Sequence, residues 1–239
     1  MIFLIFPPVA KPCEPPAGIA RLSGMLDRHA IEHHVIDANI EGLLHLSGRA
    51  PASDAPPDVW TRRAFRDRGD NLAALRNTDL YRNLARYTRV VRDISRVLAK
   101  TTPPDSKVGL ADYAHKGLSP VRSSDLLTAA EQPGLSPFYP YFRTRLGTLL
   151  NTQEPVMVGV SLNYLSQALT AFSMIGFIRR EFSGIKIILG GGLVTSWEKR
   201  LGVNPFGGLV DQMIAGPGEA PLLSLLGVNA AGIPLPTPN

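Results

Sequence analysis

At 239 residues, 44% hydrophobic and 19% charged, the chain has enough length and apolar content for one good-sized α/β core, which excludes a wholly disordered protein. A single cysteine, Cys13, rules out an intrachain disulfide and leaves too few thiolates for a protein-held iron–sulfur cluster or a Cys-rich zinc site. The net charge of +5 is local: Trp60 to Lys100 carries eleven Arg/Lys against four Asp, a net +7, so the remainder is slightly acidic.

In chain order, Met1 to Phe6 is a continuous apolar run of the kind a parallel strand shows when both its faces are covered. It is too short, and too abruptly followed by Pro7-Pro8, to be a signal peptide. Lys11 to Gly18 is a Pro-rich loop, and Pro16 suits the first turn of the helix that follows. In that helix Ile19, Leu22, Met25 and Leu26 share a face. His33 to Asp37 predicts a second strand, and Ile40, Leu43, Leu44 and Leu46 a short helix.

Residues 49–154 break this alternation. Arg49 to Pro57 reads as a linker, and two basic helical stretches follow. In the clearer one, Leu80, Leu84, Tyr87, Val91, Ile94 and Leu98 form an apolar stripe, with Arg82, Arg86, Arg89, Arg92 and Arg96 mostly elsewhere. Residues 101–137 are rich in Pro, Gly and Ser and predict mostly irregular structure, with short helices near Ser124 to Glu131 and from Phe138 to Leu150.

From Pro155 the alternation returns. Val156 to Leu162 predicts a strand, Leu165 to Phe182 a helix, Ile185 to Leu189 a strand ending in Gly190-Gly191-Gly192, Thr195 to Leu201 a helix, and Leu209 to Ala215 a last strand. The fold class is therefore α/β: a flavodoxin/Rossmann-like five-stranded parallel sheet with helices on both faces, right-handed crossovers and a mainly helical insertion. Residues 1–48 and 155–230 form the α/β domain, 49–154 the insertion, and 231–239 (Pro-rich) a linker toward a further domain. No stretch reaches the roughly 20 apolar residues of a membrane span, so no membrane partner is expected and the expected location is cytoplasmic.

In an open parallel sheet, ligands bind outside the carboxyl ends of the strands. Those ends present Pro7 to Gly18, Asp37 to Asn39, Ser161 to Asn163, Gly190 to Thr195 and Gly216 to Glu219. Glycine, proline and small polar residues dominate; acids, bases and nucleophiles are scarce. This favours a surface for a large planar or extended cofactor over a catalytic centre, and no catalytic or metal-ligating residue is assigned. The triple glycine is equally compatible with a tight turn. Asp37 stands where a dinucleotide fold places its ribose carboxylate, but no GxGxxG follows the first strand. An Arg-lined amphipathic helix is a solvated or docking face before it is a phosphate track, so nucleic acid is not the expected partner; phosphate binding there would be strongly salt-dependent.

Taken in order, Pro15-Pro16-Ala17-Gly18-Ile19-Ala20-Arg21-Leu22, Val35-Ile36-Asp37-Ala38, Val158-Gly159-Val160-Ser161, Ile188 to Thr195, Val210-Asp211 and Gly216 to Leu222 resemble the N-terminal cobalamin (B12)-binding domain of B12-dependent radical S-adenosylmethionine (SAM) proteins. The resemblance covers about 1–48 and 155–227. It implies a cobalamin-binding module with Pro16, Gly18, Asp37, Ser161, Asn163, Gly190, Gly191, Gly192, Thr195, Gly216, Gly218 and Glu219 around the corrinoid and its nucleotide tail. The family commonly has an acidic residue where this chain has Pro217. The DxHxxG signature that supplies an axial His begins at Asp27-Arg28-His29 but fails at Glu32, so no His ligand to cobalt is expected. With no CxxxCxxC, the resemblance implies that the 4Fe–4S cluster and SAM belong to a catalytic domain, methyltransferase-like in chemistry, and that domain is the implied partner in cis. The alternative is a degenerate B12-like scaffold that binds no corrinoid and serves domain docking.

Overall fold

The computed structural model describes residues 1–53, 56–197 and 204–228. Strand β1 (Ile2–Phe6) leads through a proline-rich loop to α1 (Ala17–Arg28), and β2 (His33–Asp37) runs straight into α2 (Ala38–Ser47). Next come α3 (Val59–Arg66), α4 (Arg68–Ala74), the long α5 (Leu84–Thr101), a small hairpin of β3 (Ser106–Val108) and β4 (Tyr113–His115), and α6 (Ser123–Glu131). A broken helix follows: α7 (Tyr139–Tyr141), a π-helical turn over Phe142–Leu146, and α8 (Gly147–Gln153). The alternation then resumes with β5 (Met157–Ser161), α9 (Leu165–Glu181), β6 (Lys186–Gly190), α10 (Gly192–Trp197), β7 (Gln212–Ile214) and α11 (Glu219–Leu225).

The main sheet has the order β2-β1-β5-β6-β7, with every pairing parallel. Counted among its own strands this is 2-1-3-4-5, a flavodoxin-like doubly wound order, and the five-stranded parallel sheet is the one the sequence predicts. All five residues of β1 are buried because the strand is central and covered on both sides.

The period of two along each strand sorts side chains into two cores. Ile2, Leu4, Phe6, Met157, Ile188 and Ile214 face α1 and α11, where they meet Ile19, Met25, Leu26, Leu222 and Leu223. Phe3, Ile5, Val158, Val160, Ile187 and Leu189 face the other way, in one cluster with residues of α2, α5, α6, α9 and the broken helix. On that side α9 is buried continuously from Gln167 to Ile178. A helix buried all round needs cover on its outer face as well. Here α6 and the π-helical segment supply it, through Leu126, Ala129, Ala130, Phe142 and Leu146.

The segment 49–154, expected as a mainly helical insertion, packs into the same core as the sheet. Its polar ties say the same: the Tyr141 hydroxyl and Arg145 Nε donate to Glu41 of α2 at 3.1 and 3.0 Å. The predicted stripe on α5 is rotated. Val90, Asp93, Ile94, Val97, Leu98 and Thr101 are buried, whereas Leu84 is 77% exposed. The β3–β4 hairpin occupies part of the stretch expected to be irregular, and the helix expected over 138–150 is interrupted by the π turn. The linker expected at 231–239, and residues 198–201 of the helix expected from Thr195, lie outside the described residues. Among the described residues no helix is long and apolar enough to cross a membrane.

Candidate functional site: a slot at the carboxyl edge of the sheet

On the face toward α1 and α11, register places Gly159 of β5 between Leu4 and Ile188, and Gly190 of β6 between Ser161 and Ile214. Two adjacent inward positions thus carry no side chain, and the helices above cannot fill the gap. A cavity of about 340 Å³ remains, within the ~300–1,000 Å³ range of ligand pockets but at its small end. Leu4, Gly159, Ile188, Gly190 and Ile214 form its floor, and Ile19, Leu22 and Leu222 its helical walls. Its mouth opens at the strand ends, where Ser161, Asn163, Gly191, Gly192, Thr195 and Gly216 to Glu219 gather.

Short hydrogen bonds knit the mouth together. Asn163 Oδ1 accepts the Gly192 N–H at 2.9 Å, and its Nδ2 donates to Ser161 Oγ at 3.1 Å. Thr195 Oγ1 donates to the Gly191 carbonyl and accepts the Gly216 N–H, both at 2.9 Å. These two side chains tie together the loops after β5, β6 and β7, so they shape the rim as well as face it. Gly191 has φ +113°, and a Cβ there would lie 2.8 Å from the Leu162 nitrogen and closer still to its carbonyl. Only glycine satisfies both demands.

The loop after β1 is pinned from below by buried polar groups. Asn39 exchanges two 2.9 Å hydrogen bonds with the Ala10 backbone. Gln167 donates to the Pro7 carbonyl at 2.6 Å while its Oε1 accepts the N–H groups of Asn163 and Tyr164. Among the described residues, charge enters the lining at the mouth alone, where Arg21 of α1 forms an ion pair with Glu219 of α11.

Ten of the twelve residues singled out in the sequence line this cavity: Gly18, Ser161, Asn163, Gly190, Gly191, Gly192, Thr195, Gly216, Gly218 and Glu219. Pro16 and Asp37 do not. Pro16 is the N-cap residue of α1, two residues before the first lining residue of that helix, Gly18. Asp37 ends the edge strand β2 and caps α2, its Oδ1 accepting the Ile40 N–H at 2.9 Å. Burial pushes its carboxyl above the usual aspartate range, and the capping hydrogen bonds offset this in part.

Leu4, Gly159, Ile188, Ile214, Leu22, Leu222 and Arg21 also line the cavity and were not singled out. Alternation alone carried a signal for Gly159, which shares a face with Ser161. None of the five His residues lines the cavity, and among the described residues no three His, Cys, Asp or Glu side chains gather as a metal site. Comparison with known proteins finds no family model, no curated protein and no solved structure that matches this chain.

Proposed function

We propose that the chain is a cobalamin-binding module that serves a radical SAM catalytic domain. The observation that carries this reading is the glycine-floored slot between a parallel sheet and two helices, open at the sheet's carboxyl edge. A flat heterocycle needs two close, smooth, apolar walls, and Gly159 and Gly190 provide one of them by withholding side chains. A cavity of about 340 Å³ takes one flat ring system and its stem, not a whole corrinoid. On this reading the benzimidazole end of the nucleotide tail enters the slot, and the corrin lies over the glycine-rich loops at the mouth. The order of motifs that resembles B12-binding domains supports the same assignment, since its pieces from the ends of β5, β6 and β7 converge on this one cavity.

The residues that would hold the group are Gly159, Gly190, Ile188 and Leu222 around the ring, and Ser161, Asn163, Thr195 and the 216–219 loop at the rim. When bound, cobalamin supplies a cobalt centre able to carry a methyl group or an electron. The iron–sulfur and SAM chemistry falls to the partner domain, because one cysteine cannot hold the cluster.

The test mixes purified protein with hydroxocobalamin, removes free ligand by desalting and records the visible spectrum. Retained, shifted corrin bands are the expected result. Gly190→Val should return colourless protein with an unchanged fold. Its Cβ meets nothing closer than the Ile214 carbonyl at 3.5 Å, valine suits a strand, and its methyl groups would occupy the slot. Colourless wild-type protein would overturn the proposal in favour of a degenerate scaffold.

A further inference from the structure

Arg21 and Glu219 are the charged residues of the slot's lining, and they are bonded to each other across its mouth. They come from the two helices that wall the slot, so their contact spans the opening. The Arg21 side chain is 73% exposed and that of Glu219 27%. Such a pair is screened by water and salt and is exchanged at little cost for a better partner. Below it the slot is neutral and mostly hydrocarbon. Beside it, Gly216-Pro217-Gly218 carries no charge, and Pro217 has no N–H to offer. Among the described residues that line the slot, a ligand with a flat neutral end in it and an anionic stem leaving it must pass one cation, Arg21.

We propose that Arg21 is the anion-selecting residue of this site: it gives up Glu219 and pairs with the phosphodiester of the ligand's nucleotide stem, so that the slot distinguishes corrinoids by their tails. The inference rests on the corrinoid reading above and deepens it. A guanidinium offers two parallel N–H groups that match phosphate as well as they match carboxylate. Glu219 is then the internal competitor that holds Arg21 in place while the slot is empty, and its removal frees the cation for the ligand.

The test measures dissociation constants by spectral titration for cobalamin and for cobinamide, which has the corrin ring but lacks the phosphate-bearing nucleotide. Wild type, Arg21→Gln and Glu219→Gln are compared. Arg21→Gln should weaken cobalamin about tenfold, the scale of one charge-assisted contact at a partly wet site, and leave cobinamide unchanged within about twofold. Glu219→Gln should tighten cobalamin several-fold and not cobinamide, and added salt should erode the preference for cobalamin. Both variants should melt close to the wild type, because the ion pair they break is open to solvent at its Arg21 end and worth little. Equal losses for the two corrinoids, or no loss in Arg21→Gln, would overturn the inference and leave the corrinoid reading standing. Wild-type protein that binds neither corrinoid would overturn the corrinoid reading and the inference with it.

Discussion

Two glycines in the same site obey different physics. Gly191 sits at φ +113° with the Leu162 backbone where a side chain would go, so Gly191→Ala is expected to cost about 1–3 kcal/mol in urea unfolding. Gly18 lies in the first turn of α1 with nothing within 4 Å of a would-be Cβ. Gly18→Ala should therefore gain up to about 1 kcal/mol through helix propensity and a less flexible unfolded chain. Asp37 makes a third case. Folding raises its carboxyl above the unfolded value, mainly through burial. The ionised group thus works against folding at neutral pH, and the penalty vanishes below the ordinary aspartate range. Asn caps helices as well as Asp does, so Asp37→Asn should raise Tm at pH 7 and lose that advantage near pH 3, as thermal melts at the two pH values would register. The glycines at the strand ends were legible because backbone approach needs them whatever the ligand. Asp37 could not be told apart from the slot residues in the sequence, because a carboxylate after a strand serves a cap and a ribose equally well, and the sequence does not say which helix or ligand stands in front of it.

Helix α5 shows how a periodicity rule goes astray. Counting apolar residues rotates its buried stripe toward Leu84, Tyr87 and Val91 because Asp93 is scored as an outward position. The protein buries Asp93, 7% exposed at the side chain, because Arg63 Nη2 of α3 reaches it at 2.9 Å. Asp93→Ala would strand a guanidinium whose Nε already lacks a partner, and should cost about 2–3 kcal/mol. Leu84→Ser should cost under about 0.5 kcal/mol at its exposed site. Arg63→Met combined with Asp93→Leu should recover most of the loss, which a double-mutant cycle in urea would measure.

A second clamp titrates. Arg179 of α9 donates to the carbonyls of Leu209 and Ile185 at 2.8 Å and pairs with Asp211, whose Oδ2 also accepts the Ile187 N–H at 2.6 Å. Burial pushes the Asp211 carboxyl up, but the Ile187 N–H and Arg179 outweigh it and hold it below the usual range. Its contribution is therefore present above the unfolded aspartate value and lost as pH falls through the lower folded one. Asp211→Asn should flatten the acid limb of Tm against pH below about 4. Neither clamp was visible in the sequence, since their ion pairs join residues 30 and 32 positions apart. The β3–β4 hairpin escaped for the opposite reason: strands of three residues are too short to show alternation.

For the whole molecule, the change of composition at residue 49 marks a change in what faces water and not a boundary in the core. Arginines collect in 49–154 because its helices form the outermost layer on one side of the sheet, where one helical face is wet. Their other faces hold Ile94, Leu98, Leu126, Tyr141, Phe142 and Leu146, which close over Phe3, Ile5, Val158, Val160 and the continuously buried α9. A chain with 49–154 replaced by a short Gly/Ser linker would keep every strand of the parallel sheet and every residue that lines the slot, which lies on the opposite face with α1 and α11. It would also expose the outer surfaces of α9 and α2. The cost of that apolar exposure, at roughly 25 cal/mol per Å², exceeds the few kcal/mol by which a domain is stable. The shortened chain should therefore bind a hydrophobic dye such as ANS, lose its near-UV circular dichroism and retain no cobalamin, although its slot residues are intact. Sharp two-state unfolding by the shortened chain would show instead that the outer helices are a separable domain. Loss of retention together with loss of near-UV signal would place corrinoid binding downstream of the packing on the far side of the sheet, because the slot's walls hold their spacing only while the strands beneath Gly159 and Gly190 are held flat from behind.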